Sequence, residues 1–267
     1  MLRAPAVAGQ FYPADPYQLR SQVEGFLARA QEPAPALMAM SPHAGYVYSG
    51  AVAGKTLGRV EVPRRVIVVG PNHRGLGAPA AIMTSGAWQT PLGLVELDRE
   101  LGRAVLRACP LVQEDALAHQ YEHSLEVQVP FLQVRQPELR LTPLCLGGLD
   151  YDHCQELGRG LAAAVRELDE PVLLVASTDM THYEPADSAR RKDSLAIDRV
   201  LHLDPEGLFH TVRSQGISMC GVLPTTVCLV AARELGASRA ELVEYRHSGE
   251  VSGDYHQVVG YAGVVVS

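Results

Sequence analysis

"RRVIVVGPNHRG", residues 64–75, is the stretch of the sequence that decides the fold we predict. Its β-branched run, Val66 to Val69, is typical of a strand buried on both faces, and Gly70-Pro71 ends that run. Strands of this kind belong to parallel sheets that helices cover on both sides. His73 follows almost at once, so the strand carries an imidazole to its carboxyl end. That is the edge of such a sheet where ligands bind.

The rest of the chain alternates between apolar runs and segments with helical spacing. Further strands are predicted at 36–41, 80–85, 93–98, 139–147 and 171–177, with two more strands between 240 and 267. Helices are predicted at 15–31, 51–60, 99–109, 153–168, 187–202 and 224–235. The segment 123–134 begins with helical spacing and should kink or end at Pro130. We therefore predict one α/β domain over 1–267, with a mainly parallel central sheet flanked by helices.

Composition excludes several classes of protein. An apolar share of 47% in 267 residues allows a sizeable core, and a net charge of −7 argues against a nucleic-acid or anionic-membrane binder. No apolar run approaches the roughly 18 residues of a membrane span, and the first residues lack a signal-peptide core. Five cysteines form no CxxC pair, so we expect reduced thiols and a cytoplasmic location.

Reactive side chains follow three predicted strands and one further turn. His43, His73 and the pair Asp179/His182 come after strands, and Cys220 lies in a glycine-flanked turn before a predicted helix. Each alone has an ordinary structural explanation, but together they predict a functional cluster. Two imidazoles with a third ligand suit a divalent transition metal, where a carboxylate favours iron and a thiolate favours zinc, copper or a softer iron site. A helix N-terminus would lower the pKa of the thiol.

Roles for the remaining polar groups follow from their neighbours in the sequence. Asp179 can orient His182 and raise its basicity, which would make His182 a general acid or base. Tyrosines near the same edge, among them Tyr46 and Tyr183, could line a pocket or simply pack.

Two other catalytic constellations compete with this metal site. "HQYEH" at 119–123 matches the inverted zinc-protease motif H-x-x-E-H, although a more ordinary interpretation makes Glu122 and His123 polar neighbours of the site. Cys220, His182 and Asp179 could alternatively form the nucleophile, base and acid of a hydrolase. Neither a Walker loop nor a G-x-G-x-x-G motif is present, so no nucleotide-binding motif is found.

The motifs taken together resemble one family. They occur in order from residue 7 to residue 263: AVAGQFYP, SPHAGYVYSG, VGPNHRG, EHSLEVQVPFLQ, STDMTHY, CG at 220–221 and VVGYAG. This set resembles the Memo family, whose bacterial and archaeal members are called AmmeMemoRadiSam system protein B.

The resemblance implies a fold similar to class III extradiol dioxygenases, which are non-haem iron enzymes. It places His43, His73 and Cys220 at the metal-ligand positions and His182 at the acid/base position, with Asp179 in the same motif. Cys220 stands where those dioxygenases carry a glutamate, so catechol cleavage does not follow from the fold. Iron or copper is the implied metal. A radical-SAM protein and a second small protein are the implied partners.

We accordingly expect a cytoplasmic metal-binding protein with a non-haem iron or copper redox function, zinc being possible. Glu122, His123, Tyr46 and Tyr183 are expected to line the pocket. No substrate follows from the sequence, and neither nucleic acid nor membrane is expected as a partner. The rival hypothesis is a non-catalytic binding or scaffold protein that retains a vestigial metal site.

Overall fold

One twelve-stranded sheet runs through the computed structural model, which describes residues 1–267. The strands are β1 (Leu2–Arg3), β2 (Met38–Ser41), β3 (Arg65–Pro71), β4 (Ala80–Ile82), β5 (Ala87–Thr90), β6 (Gly93–Leu97), β7 (Gln113–Glu114), β8 (Arg140–Leu146), β9 (Val172–Ser177), β10 (His182–Glu184), β11 (Ala240–His247) and β12 (Val258–Val266).

Helices pack on both faces of this sheet. They are α1 (Pro16–Leu27), α2 (Tyr46–Gly58), α3 (Arg99–Ala108), α4 (Val129–Arg135), α5 (Tyr151–Arg166), α6 (Ala186–Leu201), α7 (Pro205–Ser214), α8 (Val222–Glu234) and α9 (Gly249–Ser252), with 3₁₀ turns at Leu117–His119 and Glu126–Gln128. No helix combines the length and the hydropathy that spanning a bilayer requires.

The sheet is mixed, so the prediction of a mainly parallel sheet holds for the central strands and not for the sheet as a whole. Its order is β1-β5-β6-β8-β3-β9-β2-β12-β10, with β11 on β12 and β4 between β8 and β7. The central pairings β8–β3, β3–β9 and β9–β2 are parallel. Strand β12 runs antiparallel to β2, β10 and β11, and the pairs β5–β6 and β4–β8 are also antiparallel. A two-residue connection between β5 and β6 permits only an antiparallel pair.

The central strand β3 is buried on both faces, as its β-branched run predicts. Ile67 and Val69 belong to a core of 39 residues that α3, α5 and α8 cover. Val66 and Val68 belong to a second core of 27 residues that α1, α2 and α4 cover. The sheet therefore has helices on both sides, and its central strands end at one common edge.

Some element boundaries differ from the predicted ones. Helix α2 begins at Tyr46, ahead of the predicted 51–60, and the segment 123–134 is not one helix. Only α4 within it is α-helical, and Pro130 lies in the first turn of that helix. Proline is tolerated there because the first N–H groups of a helix have no intrahelical acceptor. Helix α7 and strand β10 were not predicted.

Close packing holds the segment before α4 against the end of β3. A Cβ on Gly70 would come within 2.7 Å of Ser124 Oγ and Leu125 Cδ1. The Ser124 hydroxyl also donates a hydrogen bond to the carbonyl of Pro71 at 3.0 Å. This contact brings the residues around 122–128 to the carboxyl edge of the sheet, beside His73.

Candidate metal centre

Three histidines from separate segments converge at the carboxyl edge of the sheet. His43 follows β2, His73 follows β3, and His123 lies in the segment before α4. Each offers a potential ligand atom, and the three atoms lie within 4.8 Å of one another. Their ring centroids are 5.2 Å apart for His43–His73, 5.5 Å for His43–His123 and 4.7 Å for His73–His123. Such a group of imidazoles could hold a metal ion.

His43 is held from β9 and from the turn that follows it. Its backbone N–H donates to Asp179 Oδ1 at 2.7 Å, and its Nδ1 lies 3.0 Å from Ser177 Oγ. Burial, together with the neighbouring His123, His73 and His182, holds the pKa of His43 well below its usual value. The ring is therefore neutral at physiological pH, the form that binds metals.

His73 is held at two points by one buried carboxylate. Its backbone N–H donates to Glu122 Oε2 at 2.7 Å, and its Nδ1 lies 2.9 Å from Glu122 Oε1. Burial alone would raise the pKa of Glu122, but the hydrogen bond and charge of His73 and the amide of Ser124 bring it down to about 2. An ionised carboxylate can only accept, so Nδ1 of His73 carries a proton, and in the neutral form of the ring Nε2 is free to bind a metal.

The ring of His123 stacks on that of His73, with an interplanar angle of 17°, and also packs against the ring of Phe11. Its Nδ1 is 3.4 Å from Glu122 Oε1. Burial lowers the pKa of His123 to about 4, although the charge of Glu122 opposes that shift. From the sequence we expected His123 to line the pocket, and the structure places it among the three potential ligands.

The Cys220 sulfur lies beside the cluster, 3.2 Å from Nε2 of His43. Cys220 directly precedes Gly221, the N-cap of α8, and the amide of Asp179 donates to its sulfur at 3.3 Å. Burial and the carboxyl of Asp179 raise the pKa of the Cys220 thiol. The lowering of this pKa that we expected from the helix N-terminus is therefore wrong, because burial and the nearby acid outweigh the hydrogen bonds from the Asp179 amide and the Thr178 hydroxyl.

Asp179 and His182 are both near the cluster, but they do not contact each other in the expected way. Asp179 is buried and accepts from the amide of His43, and burial raises its pKa to about 6 against the effects of that amide and of His182. The Nδ1 of His182 faces the carbonyl of Ser218 at 3.0 Å, and its amide donates to Ser218 Oγ. Ser218 therefore orients His182, which corrects the prediction that Asp179 does so.

The two tyrosines expected in the pocket have different environments. Tyr46 is buried in the core beside Tyr12 and Phe131, and its hydroxyl donates to the carbonyl of Val127 at 2.7 Å. Tyr46 is thus a packing residue. Tyr183 is 72% exposed and has a left-handed backbone with φ of 58°. It forms the bulge between His182 and Glu184 in β10, next to the histidine expected to act as acid or base.

The two competing catalytic hypotheses fail on geometry. His119 of the H-x-x-E-H motif is fully buried, its Nε2 lies 3.1 Å from the carbonyl of Ala81, and it is outside the histidine group. The motif begins at the last residue of the 3₁₀ turn Leu117–His119, and residues 120–123 are not helical, so His119 and His123 do not share one face of an α-helix. In the proposed hydrolase, Cys220 contacts His43 instead of His182, and its thiol has a raised pKa, unlike an activated nucleophile.

Comparison with known proteins identifies the family. A model described as "Memo-like protein" matches residues 3–265. The chain belongs to the Memo family.

Relatives in this family match over nearly their whole length. A MEMO1 family protein of Methanopyrus kandleri is 46% identical over 99% of both chains. One from Methanosarcina barkeri is 43% identical over 99% of this chain and all of the relative, and one from Aquifex aeolicus is 41% identical over 99% and 98%. Among solved structures, an uncharacterised protein from Escherichia coli K12 has a TM-score of 0.49 at 16% identity, covering 84% of this chain and 98% of that one.

Proposed function

We propose that this Memo family chain binds one divalent transition metal through His43 and His73, with His123 and Cys220 as the adjacent donors. The observation that carries the proposal is the convergence of three potential imidazole ligand atoms within 4.8 Å at the carboxyl edge of the sheet. The donor set fits a metal of this class, because neutral imidazole and thiolate suit iron, copper or zinc far better than magnesium or calcium.

The residues around the two proposed imidazole ligands hold them by hydrogen bonds, as is common in metal sites of proteins. Each of the two proposed imidazole ligands has a hydrogen-bond partner at Nδ1: Ser177 for His43 and Glu122 for His73. Such partners fix the orientation of a ligating imidazole. A bound iron or copper ion would supply electron transfer or oxygen chemistry. We propose that His182 exchanges a proton with a bound molecule through Nε2, because its Nδ1 faces the carbonyl of Ser218.

We further propose a non-haem iron or copper redox function, related in fold to class III extradiol dioxygenases. The sequence motifs support this redox function. The same proposal has the protein act in the cytoplasm, with a radical-SAM protein and a second small protein of an AmmeMemoRadiSam system. Oxygen uptake by the iron-loaded protein, measured with catechol and thiol substrates, tests the redox step. Uptake no faster than that of the metal-free protein would argue against it.

The metal site itself is tested by metal content. Wild-type protein and the variants His43→Ala, His73→Ala, His123→Ala and Cys220→Ser are expressed alike, and bound metal is measured by elemental analysis. We expect His43→Ala and His73→Ala to lose the metal, while the other two variants show which adjacent donor completes the site. His202→Ala, on an exposed histidine at the end of α6, is the matched control. Full metal content in His73→Ala would remove His73 from the site.

A non-catalytic binding role is the second candidate. The exposed ring of Tyr183 beside His182 favours it, because exposed aromatic side chains commonly serve at interfaces. Partner capture by the radical-SAM protein, compared between wild type and His73→Ala, separates the two functions. If His73→Ala captures the partner as well as wild type does but loses redox activity, partner binding and redox activity are independent. If both proteins capture the partner equally and wild type has no redox activity, the scaffold role is favoured.

A further inference from the structure

A buried network of polar groups lies directly behind His43. It consists of Ser177 at the end of β9 together with Ser124 and Gln128 from the segment before α4, and all three are fully buried. The Ser177 oxygen has three neighbours in this network: the carbonyl of Ser124 at 2.6 Å, Nε2 of Gln128 at 2.9 Å and Nδ1 of His43 at 3.0 Å.

The single proton of the Ser177 hydroxyl has only one suitable destination. The Ser124 carbonyl oxygen can only accept, so its 2.6 Å approach to the Ser177 oxygen requires that hydroxyl proton. If the hydroxyl instead donated to His43, two oxygens would face each other at that distance with no hydrogen between them. Ser177 therefore donates to Ser124 and must accept from its other two neighbours.

The orientation of the Gln128 amide agrees with this assignment. Its Nε2 faces the carbonyl oxygens of Pro42 at 2.9 Å and Ser41 at 3.3 Å, besides the Ser177 oxygen. Turning the amide around would place its own oxygen against both carbonyls. The amide nitrogen is thus the group that donates to Ser177, which leaves one lone pair of the hydroxyl for His43.

We infer that Ser177 is the positioning residue that fixes His43 in the tautomer with the proton on Nδ1. The Nε2 lone pair then faces the Cys220 sulfur, 3.2 Å away, at the candidate metal centre. Ser177 acts through the orientation of His43, because its oxygen faces Nδ1 and the proposed ligand atom is Nε2. The role that we give to this tautomer rests on the proposed metal site. The tautomer itself can be measured in the metal-free protein.

The neighbouring strand supplies a matched control. Ser41 on β2 is paired in register with Ser177 on β9, and both are fully buried. The Ser41 hydroxyl has no hydrogen-bond partner. Ser41→Ala therefore removes the same atom from the same layer of the sheet without touching His43.

The first measurement is nitrogen-15 NMR of the imidazoles in metal-free wild-type protein, with His43 assigned by comparison with His43→Gln. We expect protonated Nδ1 and unprotonated Nε2 for His43. Protonated Nε2 would overturn the inference, and this result does not depend on any Ser177 variant folding.

The second measurement is Zn²⁺ affinity by competition with a chromophoric chelator, for wild type, Ser177→Ala and Ser41→Ala. Loss of a partner behind a ligating histidine typically costs about 10–100-fold in metal affinity, and we expect that loss only in Ser177→Ala, together with a mixed His43 tautomer. Wild-type tautomer and affinity in a folded Ser177→Ala protein would overturn the inference. If wild type fails to bind Zn²⁺ while His43 keeps Nδ1–H, the proposed metal site fails and the tautomer assignment stands.

Discussion

Glu122 is the residue whose charge most directly supports the site, because one carboxylate holds both the backbone and the ring of His73. In Glu122→Gln the neutral amide accepts less strongly, so His73 is less firmly oriented. We expect Zn²⁺ affinity to fall by about 10–100-fold in a titration against a competing chelator. Glu138→Gln, at an exposed position, is the control and should match wild type. Unchanged affinity in Glu122→Gln would separate His73 from the metal.

The protonation state of Cys220 gives a test of its role as a ligand. Its pKa is raised, so the metal-free thiol is neutral at pH 7, whereas the pKa values of His43 and His123 are lowered, so their rings are already neutral and bind a metal without releasing a proton. Binding through sulfur must release the thiol proton. Calorimetric titration with Zn²⁺ in buffers of different ionisation enthalpy should show about one more proton released by wild type than by Cys220→Ser. Equal proton release would leave His123 as the third ligand.

The sequence predicts part of this site at the residue scale. His43 and His73 follow apolar strands, so their meeting at one edge follows from the rule for parallel strands. The position of His123 does not follow from the sequence, because the helical spacing over 123–134 predicted a helix that the chain does not form at His123. The H-x-x-E-H motif was a signal for His123, yet it pointed to His119 as its partner. Ser177 carries no signal at all, since its role depends on three neighbours distant in sequence.

At the scale of elements, the contact between β3 and the segment before α4 decides whether His73 and His123 meet. Gly70→Ala would place a methyl group 2.7 Å from Ser124 Oγ and Leu125 Cδ1, which forces that segment away from the strand. We expect a loss of about 1–3 kcal/mol in the free energy of unfolding, measured with urea, together with weaker metal binding.

A glycine-to-alanine substitution in α1 should change the free energy of unfolding in the opposite direction. Gly25 lies inside that helix, and a Cβ there would meet nothing within 4 Å. Gly25→Ala should raise the free energy of unfolding by about 0.5–1 kcal/mol, because alanine loses less backbone entropy in a helix. A Gly70→Ala protein as stable as wild type would show that the segment before α4 packs differently.

Elements were predicted best where the apolar pattern is strong. The runs that form β3, β8 and β9 fix the parallel centre, because a strand buried on both faces has few alternatives. The antiparallel pairing of β12 with three partners has no comparable signature in the sequence, since strand direction depends on where the chain returns. The bulge at Tyr183 is equally hidden, because a left-handed backbone is uncommon for a bulky aromatic residue.

At the scale of the whole molecule, buried neutral histidines make the metal-free fold sensitive to acid. The pKa values of His119 and His123 are lowered from 6.5 to about 4. An unfolded chain takes up protons at these residues near pH 6.5, and the folded chain does so only near pH 4. Stability is therefore lost as pH falls between those values, by up to about 3 kcal/mol for each residue.

His119→Gln isolates this effect, since His119 lies outside the histidine group. Asp179 has a raised pKa and acts in the opposite direction, but its contribution is common to both proteins and cancels in their difference. We expect urea denaturation at several pH values to show that the free energy of unfolding of the variant rises relative to that of wild type as pH falls from 6.5 to about 4. A constant difference over that range would mean that His119 is not held neutral by burial.

Anomalous diffraction from crystals grown with iron, copper or zinc tests the central claim most directly. Data collected at the absorption edge of the added metal locate the ion and identify the element. We expect one strong peak at about 2.0–2.2 Å from Nε2 of both His43 and His73, with His123 or Cys220 completing the set. A peak elsewhere, or no peak between these two rings in a crystal that contains the metal, would contradict the account.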